Sequence, residues 1–193
     1  IYEASNILAK ERGPYKTFYE SKWKEGKTPF HLSILNNKKN ILNIETDSEK
    51  WDKLAENIKN YGVRFSFHGA IAPTATSGKS VSATESIEPI VDLFFVEEGI
   101  QTLPSLAPNL KKNRDYYQRC WTIPAKNIIE LAAVRQRYID QSQSVNLYYI
   151  KPESAKELWD DIQYAMDLGL KTLYYMKTPK SNFELEEVCE SCT

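Results

Sequence analysis

Near the end of the chain, Cys189 and Cys192 stand in C-x-x-C spacing behind an acidic run, in "FELEEVCESCT". Two thiols at that spacing can close a small-ring disulfide and pass electrons to another disulfide, or they can supply half of a zinc site. Zinc needs two more ligands, and only His31, His68 and Cys120 are on offer, none in a paired spacing. Redox chemistry is the better reading. A flexible linker from Thr178 to Cys189 reaches roughly 18 Å on average, and about 36 Å when extended. A tail of that reach suits a carrier of electrons.

Three other stretches hold reactive side chains. "IAPTATSGKS", Ile71 to Ser80, runs from an apolar segment into Thr, Ser and Gly. At a helix start such residues leave N–H groups free for an anion. The spacing is not that of a P-loop, despite the Gly78-Lys79-Ser80 ending. An ordinary helix cap is the competing reading. "IDQSQSVN", Ile139 to Asn146, gathers Asp, Gln and Ser between a helix and a strand. It could orient a ligand, although such clusters more often satisfy backbone groups at helix ends. "KTLYYMKT" places Tyr174 beside Tyr175. Tyr can carry protons or electrons, but in a regular strand adjacent rings point to opposite faces and normally serve packing.

Several elements must position these groups. Residues 1–12 read as a helix stopped by Gly13-Pro14, and 14–46 show little periodicity and read as irregular. "TDSEKWDKLAENIKNYG" is a helix with Trp51, Leu54, Ile58 and Tyr61 on one face and Gly62 as its stop. "VRFSFHGAIAP" alternates Val63, Phe65 and Phe67 as a half-buried strand does, and another helix is expected to start near Gly78–Ser80. "IVDLFFVEEG", "SVNLYYI" and "LKTLYYM" read as further strands. Between them lie "TIPAKNIIELAAVRQRYID", with Ile128, Leu131, Ala132, Arg135 and Ile139 along one stripe, and "ESAKELWDDIQYAMDLG". The latter opens with Ser154 and Glu157 in capping-box spacing and closes at Gly169. Strands separated by helices predict an α/β fold with largely parallel pairing.

The chain has 193 residues and a net charge of −1, so no global field draws in nucleic acid or an anionic membrane. No apolar run approaches the ~20 residues that span a bilayer, no secretory leader is expected, and three cysteines are too few for a disulfide scaffold. A cytoplasmic globular protein is expected. The opening "IYEASNILAKERGP" starts inside a helical pattern without Met, as in a piece cut or split from a longer polypeptide.

The four stretches occur together and in this order in a known family. "IAPTATSGKSVSATESIEP", "RQRYIDQSQSVN", "GLKTLYYMKT" and the terminal "CESCT", with "ASNILAKERGP" at the start, resemble the C-terminal part of the large subunit of class I ribonucleotide reductase. The resemblance covers nearly the whole chain. It implies the C-terminal portion of a ten-stranded α/β barrel over 1–177, completed by an N-terminal part outside this chain, followed by a flexible redox tail over 178–193. The implied activity is the radical reduction of ribonucleotides to deoxyribonucleotides.

By the same resemblance, Thr76, Ser77 and Gly78 hold substrate phosphates, and Ala75 stands where some members carry a carboxylate. Tyr175 faces a radical-generating small subunit and Tyr174 hands the radical on to a thiyl cysteine. Their rings must then lie together, which predicts a departure from strand geometry at that point. Cys189 and Cys192 match the pair that reduces the active-site disulfide and is re-reduced by thioredoxin or glutaredoxin. Cys120 matches no catalytic motif and reads as a partly buried structural thiol. The resemblance assigns this chain no metal and no cofactor, the radical coming from the metal-containing small subunit. The thiyl cysteine and the substrate-reducing cysteines belong to the N-terminal part. The rival expectation is a non-catalytic remnant that docks the small subunit or thioredoxin.

Overall fold

The computed structural model describes residues 1–36, 48–81, 83–84, 86–97, 103–152 and 154–179. In chain order, helices α1 (Tyr2–Arg12), α2 (Pro29–Asn36), α3 (Ser48–Tyr61) and α4 (Ala75–Ser80) precede a hairpin of β1 (Phe94–Glu97) and β2 (Leu103–Leu106). The short α5 (Leu110–Asn113), then α6 (Ala125–Gln136), β3 (Leu147–Tyr148), α7 (Ala155–Asp167) and β4 (Met176–Lys177) follow.

Two apolar clusters hold these elements. The first joins α1 to α3 over Tyr2, Phe18, Leu54, Ile58 and Val63, with Trp23 and Trp51 at its edge. Gly62 stops α3 at φ +79°, a conformation that costs glycine nothing. The second cluster packs α6 on α7 and on β3, through Ile128, Ile129, Ala132, Leu147, Ala165 and Leu168. The Ser154 hydroxyl accepts the Glu157 N–H at 3.2 Å, so the expected N-cap of α7 is present. Strand β3 pairs with β4 in parallel, Leu147 opposite Met176 and Tyr148 opposite Lys177.

Several elements differ from the sequence reading. The stretch expected to be irregular contains α2 and two 3₁₀ turns, at Phe18–Glu20 and Lys22–Glu25. Pro29 sits in the first turn of α2, and the Thr28 carbonyl accepts the Leu32 N–H. Thr-Pro was therefore a start signal. Residues 63–73 form no strand, and Phe65 and Phe67 are 53% and 70% exposed. Their backbone donors go elsewhere: Arg64 and Phe65 donate to the Ser5 hydroxyl, and His68 and Gly69 to the Asp140 carboxylate. Only a parallel bridge from Ile71 to Gln143 remains.

The apolar stretch after Ile90 belongs to the β1–β2 hairpin, which is antiparallel with Phe94 opposite Leu106. Parallel pairing is thus confined to β3–β4 and two isolated bridges among the described residues. Helix α6 is shorter than its apolar stripe: Leu131 is 60% exposed, Tyr61 on α3 is 51% exposed, and Ile139 lies beyond the helix end.

Candidate functional site

Alternation along residues 144–149 divides two environments. Val145, Leu147 and Tyr149 join the apolar cluster, and the Tyr149 hydroxyl donates to Asp161 of α7 at 2.9 Å. Ser144, Asn146 and Tyr148 line a cavity of about 430 Å³. From the other strand Tyr175 and Lys177 line the same cavity, as a period of two requires, and so does Tyr174, which that period would send elsewhere.

The hydrogen bonds explain the exception. The Leu147 N–H donates to the Tyr175 carbonyl and the Tyr149 N–H to the Lys177 carbonyl, the regular step of a parallel ladder. One step further back, a regular ladder would bring the Tyr175 N–H to the Val145 carbonyl. Instead that carbonyl accepts from Tyr174, at 2.8 Å. The strand has slipped by one residue, as in a β-bulge. Both rings then fall on the cavity side, with centroids 4.0 Å apart and planes inclined at 46°. Both remain more than half exposed. Hydrogen bonding to Tyr175 and then its charge raise the Tyr174 pKa, so this phenol stays protonated at neutral pH.

Sequence reasoning did not find the groups behind this pair. Glu88 accepts the Asn146 backbone N–H on Oε1 and the Asn146 side-chain NH₂ on Oε2, both at 2.9 Å. It also accepts the Tyr148 hydroxyl. The Lys177 ammonium lies 5.5 Å from the Tyr148 ring centroid and 6.0 Å from that of Tyr175. Glu88 stood in "ATESIEP" and Asn146 in "SQSVN", but no spacing in the sequence connects residues 58 positions apart.

Pro73 and Ala75 bring the start of the polar turn to the wall of the same cavity. Helix α4 begins at Ala75, earlier than expected, because the Thr74 carbonyl already accepts the Gly78 N–H at 2.8 Å. Thr76 and Ser77 therefore lie in its first turn, exposed, with N–H groups that have no carbonyl four residues back to meet. Gly78 is buried behind them.

The "IDQSQSVN" cluster is occupied with backbone. Gln136 Nε2 donates to the carbonyls of Ile139 and Gln141, and Gln143 Nε2 to that of Ala132. Asp140 holds the backbone at His68 and Gly69. The competing structural reading applies to Asp140 and Gln143, whereas Ser144 and Asn146 of the same stretch line the cavity. Among the described residues no three His, Cys, Asp or Glu side chains gather as a metal would need. Cys120 is fully buried, deeper than expected, and burial followed by the charge of Glu88 pushes its thiol up to about 12. Cys189 and Cys192, with residues 180–193, lie outside the described residues.

Helices on one face of a parallel pair and a ligand-sized cavity on the other are the construction of an α/β barrel wall. The family model described as ribonucleotide reductase, barrel domain, matches residues 1–111 and 96–176, and the chain belongs to that family. Its relatives include alpha subunits of ribonucleoside-diphosphate reductase. That of Helicobacter pylori is 35% identical over 97% of this chain and 24% of its own length. That of Treponema pallidum is 32% identical over 98% and 21%. A third, from Buchnera aphidicola of Acyrthosiphon pisum, is 34% identical over 99% and 27%. The chain thus spans about a quarter of the length of these curated relatives.

Proposed function

We propose that the chain works as the C-terminal part of a ribonucleoside-diphosphate reductase large subunit. It would supply the phosphate-binding turn of Thr76, Ser77 and Gly78, the relay pair Tyr174 and Tyr175, and the terminal dithiol of Cys189 and Cys192. The rest of the large subunit would close the cavity and bring the thiyl cysteine. The observation that carries this reading is the tyrosine pair, 4.0 Å between ring centroids, on the wall of the cavity that Ala75 also lines.

In this reading a radical reaching Tyr175 from the small subunit takes one electron and one proton from Tyr174. The Tyr175 phenol is restored and the hole moves one ring inward. Tyr174 starts as a neutral phenol, and ring centroids 4.0 Å apart put its neighbour within reach of a coupled transfer of proton and electron. The exposed first turn of α4 offers N–H groups and two hydroxyls to the phosphates of a ribonucleotide. The metal that makes the radical belongs to the small subunit. Cys189 and Cys192 would carry electrons in from thioredoxin or glutaredoxin.

The test combines this chain with the remainder of the large subunit, a small subunit, a reductant and a ribonucleoside diphosphate. Turnover is expected. Tyr174→Phe or Tyr175→Phe is expected to lower it at least about a hundredfold, since Phe has no proton to give. Cys189→Ser with Cys192→Ser is expected to abolish turnover with thioredoxin while sparing that with a small dithiol. Full activity in either Phe variant would remove the relay, and indifference to the Ser pair would favour a docking module.

A further inference from the structure

The slip that brings Tyr174 beside Tyr175 takes the Tyr175 N–H away from the Val145 carbonyl, and the Asn146 side chain replaces that acceptor. Its Oδ1 accepts the Tyr175 N–H at 3.1 Å. An Asn amide can face either way, so something must aim it. Glu88 does so. An ionised carboxylate only accepts, so it draws the Asn146 NH₂ toward itself and leaves Oδ1 no direction but Tyr175. The second oxygen of Glu88 fixes the Asn146 backbone, and the Tyr148 hydroxyl anchors the carboxylate from the neighbouring residue pair. Asn146 and Tyr148 are both buried, at 8% and 5% exposure, so water is a poor substitute for either partner.

From this we infer that Glu88 and Asn146 form a clamp that holds the one-residue slip, and that both are positioning residues for the tyrosine pair. Their importance to turnover rests on the relay reading above; the clamp itself rests on the hydrogen bonds alone. Loss of the clamp lets the strand regain its regular register, with Tyr175 back on Val145 and Tyr174 turned to the opposite face.

The test is an exchange of the two side-chain chemistries. In Glu88→Gln the new amide presents a donor to the Asn146 NH₂. The one remaining oxygen is claimed by the Asn146 backbone N–H, which cannot turn, so the Asn146 amide turns over instead and its NH₂ meets the Tyr175 N–H, donor against donor. In Asn146→Asp two carboxylates face each other and repel. The double variant Glu88→Gln/Asn146→Asp restores complementarity. The introduced amide donates to one oxygen of the introduced carboxylate, the other oxygen accepts the Tyr175 N–H, and the net charge is unchanged.

Two readouts are taken. Inter-ring nuclear Overhauser contacts between labelled Tyr174 and Tyr175 are measured in the full chain, and kcat and KM in the assembled enzyme. Each single variant is expected to lose the inter-ring contact and to lower kcat about tenfold or more with KM little changed, since only the relay geometry is disturbed. The double variant is expected to recover both. Intact ring contact in both single variants, or a double variant no better than they are, overturns the clamp. If Tyr174→Phe leaves turnover intact the relay reading fails instead, and the clamp is decided by the ring contact alone.

Discussion

Asp140 accepts the backbone N–H groups of His68 and Gly69 at 2.9 and 2.7 Å and faces the His68 ring, with its side chain 8% exposed. Burial pushes its carboxyl up, but the hydrogen bonds from His68 and Gly69 outweigh burial and hold it below the usual range. The sign follows from linkage. A carboxyl depressed in the folded state adds stability in full above its unfolded value of about 3.9 and loses it as pH falls through the folded value. Asp140→Asn is expected to cost about 1–3 kcal/mol near neutrality, because one of two part-buried N–H donors loses its acceptor. Urea unfolding followed from neutral to acid pH should show the wild type losing its advantage as the pH drops below about 4. A parallel pH dependence in the two proteins would exclude the carboxylate as the source.

At the scale of elements, two glycines at positive φ differ in how crowded their surroundings are. Gly13 ends α1 at φ +77° and Gly62 ends α3 at φ +79°. A Cβ at Gly13 meets nothing within 4 Å, whereas one at Gly62 would stand 2.6 Å from Cβ of Pro14. Gly13→Ala is expected to cost about 1–3 kcal/mol from backbone strain alone, because φ +77° with ψ 158° is a region that essentially only glycine occupies. Gly62→Ala adds a steric term on top and is expected to cost about 2 kcal/mol or more. Thermal unfolding checks each value, and a Gly62→Ala loss well below about 2 kcal/mol would mean that the α1–α3 junction yields to the added Cβ.

Both glycine stops, the α3 face of Leu54 and Ile58, and the Ser154 cap were legible because each depends on neighbours within a turn or two of helix. The 63–73 segment was not legible. Its alternation looks like a strand, but Ser5 and Asp140, remote in sequence, take its N–H groups. The candidate site divides the same way. The tyrosine pair and the polar turn stood out by residue type, but residue type alone favoured packing and an ordinary cap, and the shared face of the two rings was expected only through the family resemblance. Glu88 and Asn146, which shape the pair's backbone, meet only through the fold.

For the molecule as a whole, the cavity that carries the proposed chemistry is also where apolar surface is left open. Val91, Leu106, Tyr174 and Tyr175 line it with exposures of 42–62%, and Phe94 and Met176 nearby are 53% and 36% exposed. Strand β4 has one neighbour among the described residues, so its outer edge keeps unpaired backbone groups. Such an edge beside an apolar rim is a template for further strands. If the remainder of a large subunit completes the barrel here, it must cover this rim and leave the α1–α3 cluster, already sealed by Ile58 and Val63 at 0% exposure, as it is. Amide hydrogen exchange should then slow by about tenfold or more over residues 174–178 when that remainder is added, with little change along α3. Slowing confined to the α1–α3 side, or none at all, would mean that the barrel is not continued from β4.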